Sequence, residues 1–168
     1  MWQLLGENAS EIIALCALGL TSYQAYLSRA HNRLSLKPHL TRFTHRSRQP
    51  GHGVLVFEIM NNGVGPAFIN SFEILLDGKR VQDLDGALKE VLGQRQFNST
   101  VATLGDDYAM PAGERREILI LALGLSDGED LSGIEEELDR FDLIVEYQSV
   151  YGEKAKLDTR TEKSNVNQ

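Results

Sequence analysis

The stretch FEIMNNGVGPAFINSFEILLDGK, Phe57–Lys79, decides the fold. Gly53–Met60 alternates, with Leu55, Phe57 and Ile59 on one face and Val54, Val56 and Glu58 on the other, the period-2 pattern of a half-buried strand. Asn61-Asn62-Gly63-Val64-Gly65-Pro66 follows. Asn and Gly tolerate positive φ, and Pro66 fixes φ and lacks an NH, so the chain turns. A second alternating run, AFINSFEILL at 67–76, closes on Asp77-Gly78, a hairpin-type turn signal. Two strands joined at a corner set the expectation for everything around them.

Outward from this pair the chain continues in the same idiom. EILILAL at 117–123 is its most apolar run, and residues 143–150 are next. Between strands lie two helical spacings. Leu84, Ala87, Leu88, Val91 and Leu92 predict a short amphipathic helix lying on the strands, within an insertion at 81–105. An acid-rich segment at 126–140 predicts a loop and a helix, with Ser132 as N-cap and Glu135 completing a capping box. Residues 159–168 are polar and expected to fray.

The strand ending Phe57-x-Ile59-x-Asn61-x-Gly63, the small Ala67, and the run into Asp77-Gly78-Lys79 resemble the immunoglobulin-like β-sandwich modules common in bacterial proteins, including adhesion-type domains. YAMPAGE at 108–114 before REILILAL at 116–123, and DLIVEYQSVYGEKAKLDT at 142–159, are similar to later steps of those modules. NNGVGPA at 61–67 resembles a motif of uncharacterised bacterial proteins built from one N-terminal membrane helix and one such domain. The resemblance implies a mainly β, immunoglobulin-like antiparallel sandwich with one or two inserted helices, and it carries no catalytic residue with it.

The N-terminal part has a different composition. IIALCALGLTSYQAYLS at 12–28 holds no formal charge, and at about 1.5 Å per residue a helix of this length nearly spans a hydrocarbon core of roughly 30 Å. Trp2 precedes it and Tyr23 and Tyr26 lie near its end, where amphipathic aromatics favour the two interfaces. No Lys or Arg precedes it, which argues against a cleaved secretory signal. Basic residues follow it: Arg29, Arg33 and Lys37 are candidates for contact with anionic lipid headgroups. By the positive-inside bias, a membrane helix here puts the N-terminus outside and the following domain in the cytoplasm, as a single-pass protein of a bacterial inner membrane. The expected organisation is an anchor helix at 1–30, a basic linker and leading strand at 31–52, the sandwich at 53–160 and a polar tail at 161–168.

Composition excludes several classes. The 168 residues carry a formal charge of -7, but residues 1–50 hold six Lys or Arg against two acids, which leaves the rest at -11. Such a body repels phosphate backbones, so nucleic acid is not expected as a partner. The single Cys16 forms no internal disulfide and no thiolate zinc site, and it suits a small apolar place in the helix. The four histidines, His31, His39, His45 and His52, lack the i, i+4 spacing of a metal-binding pair. Asp127, Glu129 and Asp130 lack the ligand order of an EF-hand.

One catalytic pattern needs weighing. Gly124-Leu125-Ser126-Asp127-Gly128 matches the nucleophile-elbow pattern G-x-S-x-G, yet every histidine lies upstream of Ser126, against the chain order of that fold. Gly63-x-Gly65 runs into Pro66, which removes an NH where a phosphate-cradling loop needs donors. The expectation is therefore a non-enzymatic, cofactor-free interaction module, attached to the membrane through residues 9–30 and engaging a protein partner or a second copy of itself. Its candidate interaction loop is Asn61, Asn62, Gly63, Val64, Gly65 and Pro66. The alternatives are an extracytoplasmic adhesion or envelope domain in the opposite orientation, and an enzyme with an unrecognised site.

Overall fold

A computed structural model describes residues 9–105, 108–125 and 130–161. Two compact units divide the chain, one ending at Leu36 and the other beginning at Lys37. The first contains helix α1, Ala9–Ser35, in which no residue is buried. It runs past residue 30, because nothing between Arg29 and Ser35 breaks a helix; the break comes before Pro38, whose ring disfavours helical backbone at the preceding residue.

Among the described residues the second unit has nine strands and two helices. One antiparallel sheet has the order β1 (Leu40–Gln49), β2 (His52–Asn61), β7 (Arg115–Gly124), β5 (Phe97–Val101). The other has the order β4 (Lys79–Arg80), β3 (Ala67–Leu76), β8 (Phe141–Gln148), β9 (Lys154–Asp158), with β6 (Ala109–Met110) paired to the start of β3. The arrangement is that of a β-sandwich. The leading strand β1 pairs with β2 along its whole length, from Leu40 opposite Asn61 to Gln49 opposite His52. Strand β1, within the stretch read as basic linker and leading strand, is thus an edge strand of the first sheet.

The corner at 61–66 carries the chain from the first sheet to the second, since β2 and β3 lie in different sheets. Asp77-Gly78 forms the expected tight turn, with φ of 50° and 78°, both positive as a primed hairpin turn requires. In the interior, Ile59 and Ile118 of the first sheet pack with Ile69, Val145, Tyr147 and Leu157 of the second. The rest of the first sheet's inner face is closed differently. Leu55, Leu121 and Leu123 pack against helix α2 (Leu84–Leu92) and helix α3 (Leu131–Leu138) through Leu88, Leu92, Leu131, Ile134 and Leu138. These helices are components of the core, where the spacing alone placed one on the outside of the strands. Arg95 ties them together with two hydrogen bonds to Glu137, of 2.6 and 3.1 Å.

Two local expectations are corrected. Helix α3 begins at Leu131 with Asp130 at the cap position, so Ser132 lies inside the first turn and its hydroxyl bonds to the Asp130 carboxylate. Leu131 is needed in the core, and that burial sets the helix start one turn position earlier than the capping box. Thr159 does not fray. It is fully buried, its hydroxyl accepting from the Leu143 NH at 2.9 Å and facing Asp142 at 3.4 Å.

Candidate functional site

The corner loop is built around Asn61, which is fully buried. Its amide nitrogen donates to the carbonyls of Gly65, Met110 and Pro111 at 2.9, 3.0 and 3.2 Å. Its amide oxygen accepts from the NH groups of Gly63 and His39 at 3.0 and 3.2 Å. The backbone adds bonds from Asn61 NH to Glu114 O and from Gly113 NH to Asn61 O. One side chain therefore joins the end of β2, the start of β1 and the turn after β6. Gly63 sits so close to the backbone of residues 37–39 that a Cβ there would overlap His39 N, Lys37 O and Pro38 C. The Val64 NH completes the seam to Lys37 O at 3.2 Å.

The sequence-predicted loop residues are thus brought together, but with unequal access. Asn61 and Gly65 are buried, Gly63 and Pro66 are partly covered, and Asn62 and Val64 are exposed, Val64 by 69%. The conformation is determined by interior bonds, and only two side chains can meet a partner. Lys37 is exposed, with its backbone tied to this loop, while Arg29 and Arg33 are exposed on α1. The three are therefore split between the two units of the chain.

Two further places carry charge. Glu58 is 9% exposed although it lies on the outward face of the first sheet, and His45 Nε2 stands 3.3 Å from its Oε2. That contact is off the line of a hydrogen bond, and Oε2 accepts none. Beside β7, Tyr108 donates to Glu114 at 2.6 Å and accepts from Arg116 at 2.9 Å, with the Arg116 guanidinium 5.0 Å from the ring centroid. Burial and the bond to Glu114 push the Tyr108 hydroxyl above the usual tyrosine range. Glu58, Tyr108, Arg116, Glu117 and Ile120 help to line a cleft of about 650 Å³. A smaller apolar space of about 70 Å³ lies inside, between Phe57, Ile74, Leu84, Leu138 and Phe141.

Among the described residues no group of three or more His, Cys, Asp or Glu is placed to hold a metal ion. The Ser126, Asp127 and Glu129 patterns lie outside the described residues, as does Trp2. Among the described residues no helix is long and apolar enough to cross a membrane. In α1 the uncharged run is interrupted by Thr21, Ser22 and Gln24.

No family of known proteins matches the chain, and no curated protein does. Function is accordingly argued from its own surfaces. What sequence patterning did not give is the pairing of the leading strand β1 at an edge of the first sheet, which places Arg42, Arg46 and Arg48 on that edge. The eleven residues between Pro38 and Pro50 hold no Gly or Pro, which leaves the run free to form a strand.

Proposed function

We propose that this chain is a bilayer-attached, non-enzymatic binding module, in which α1 inserts into lipid and an immunoglobulin-like sandwich presents surfaces to a protein partner. The observation that carries this reading is the surface of α1. Among the described residues, nine of the fifteen exposed large hydrophobic side chains belong to this one helix, and on a 3.6-residue repeat Ile12, Ile13, Leu15, Leu18 and Leu20 point to all sides. A helix apolar all round is stable when non-aqueous surroundings cover it. Beyond Leu20 the helix becomes one-sided, with Tyr23, Leu27 and Leu34 on one flank and Arg29 on another. That gradation suits a helix whose first half lies among acyl chains and whose second half lies at the headgroups. The Thr21 hydroxyl is satisfied by Ala17 O at 2.7 Å, which lowers the cost of placing it in lipid.

Flotation with vesicles of zwitterionic and anionic lipid tests the attachment. The full chain is expected to rise with both kinds of vesicle and to stay with them in 1 M salt, roughly the level at which surface electrostatics are screened within about 3 Å. Leu15→Arg with Leu18→Arg should leave it at the bottom of the gradient. A wild-type chain that stays at the bottom removes the proposal.

A further inference from the structure

We infer that the free edge of β1 is a strand-addition site for an extended, acidic segment of a protein partner. The inference rests on reading the sandwich as a binding module, but not on lipid insertion by α1.

Hydrogen-bond phase identifies the open groups. In an antiparallel pair, alternate residues exchange both backbone bonds with their partner and the intervening ones point away. The Asn62 NH bonds to His39 O at 2.7 Å, and β1 and β2 run in unbroken register from there to Gln49 opposite His52. Residues 41, 43, 45, 47 and 49 therefore face β2. The NH and C=O groups of residues 40, 42, 44, 46 and 48 face outward. At residue 40 the NH is taken by the Tyr147 hydroxyl at 3.3 Å. Among the described residues, Arg42, Thr44, Arg46 and Arg48 make no backbone hydrogen bond in any turn or loop and none to a side chain on this outward side.

Sheet edges are ordinarily blunted by shortness, proline, bulges or covering elements, because open ladder groups recruit another strand. The other long edges here, β5 and β9, have five residues each. Strand β1 has ten, with no bulge and no proline. Among the described residues the guard on this edge is charge, and within the strand it has one sign: Arg42, Arg46 and Arg48, with His45, and no acid.

That sign selects the occupant. A second copy added antiparallel, centred on these groups, would set Arg42 opposite Arg46 or Arg48, or Arg46 opposite itself, and like charges directly opposite destabilise a sheet. An acidic strand instead meets guanidinium donors at alternate positions. Arg42 and Arg46 make only single, solvent-accessible contacts, to Asp139 at 3.7 Å and Glu135 at 3.3 Å, which an incoming carboxylate can replace, and Arg48 has no ion-pair partner among the described residues. Main-chain bonds would supply affinity and the arginines selectivity, the general mode of strand addition.

The test is amide hydrogen exchange on the full chain in detergent, with a synthetic nine-residue peptide alternating valine and glutamate, and a valine–lysine peptide as control. Without peptide, the outward amides of Arg42, Thr44, Arg46 and Arg48 should exchange fast and those of Phe43, His45 and Ser47 slowly. The glutamate peptide should protect the first set at least tenfold and leave the second unchanged. Arg46→Glu with Arg48→Glu should weaken its binding about tenfold. Thr44→Pro removes one outward NH and no ladder bond to β2, so it should block binding while the fold is kept. If that variant unfolds, the charge reversal alone decides. Equal protection by the lysine peptide, no protection by either, or protection that appears with protein concentration alone would each overturn the inference. A chain that floats with vesicles yet shows no peptide protection loses the strand-addition site and keeps the attachment; the converse result separates them the other way.

Discussion

Asn61 carries more of the structure than its position in a loop suggests. Five hydrogen bonds converge on its amide, from or to residues 39, 63, 65, 110 and 111, and an unsatisfied buried group costs about 1–3 kcal/mol. Asn61→Ala strands three carbonyls and two NH groups, so chemical denaturation should show a loss of roughly 2–4 kcal/mol with an unchanged m-value. Asn62→Ala, on the exposed neighbour, should lie within about 0.5 kcal/mol of wild type. At Tyr108 the folded state holds the hydroxyl above its ordinary value. A raised folded pKa means that stability is fully present below pH 10 or so, the unfolded value, and declines as pH rises through the folded one. Thermal unfolding followed from pH 9 to 11 should show that decline in wild type, and Tyr108→Phe should flatten it. The acid side belongs to Asp158, held low chiefly by its hydrogen bond from Arg160; its contribution is present above the ordinary carboxylate value and fades below it, and is weakened by solvent around Arg160, whose side chain is 45% exposed against 13% for Asp158.

At the scale of elements, the strands and the corner were legible because alternation and turn chemistry are local. Phe57–Leu76 reads as strand, turn and strand from its own residues, and Gly63 and Pro66 announce the turn. What could not be read is decided by partners far away in sequence. The apolar spacing at 84–92 shows that one face of α2 is covered but not by what, and the cover proves to be Leu121 and Leu123 together with α3. Likewise the basic stretch at 31–52 reads as linker and leading strand, but how far the strand runs and that it pairs with β2 are decided by the partner strand. Of the candidate loop, the residue types were legible and the inward direction of Asn61 was not. Because α2 and α3 close the core, Ile134→Ala should cost about 2–4 kcal/mol in equilibrium unfolding, while Glu136→Ala on the exposed side of the same helix should cost no more than about 0.5 kcal/mol. Equal effects of the two would mean that α3 lies on the sheet without completing its core.

For the molecule as a whole, the division of labour follows from where burial stops. Among the described residues every buried hydrophobic one lies at Leu40 or beyond, so α1 supplies none of the residues of either core cluster, and the unit from Lys37 onward holds all of both. The seam that starts this unit, Lys37 and His39 bonded to the 61–64 corner, is also complete without the helix. A chain reduced to residues 37–168 should therefore unfold cooperatively, within about 1 kcal/mol of the sandwich transition in the full chain. The same truncation removes ten exposed large apolar side chains among the described residues, so it should lose vesicle flotation altogether. Retained stability with lost flotation assigns attachment to α1 and folding to the sandwich. If the truncated chain instead melts early or exposes its core to a hydrophobic dye, α1 is an integral part of the fold, and its apolar surface has to be explained by contact with the sandwich of its own or another copy.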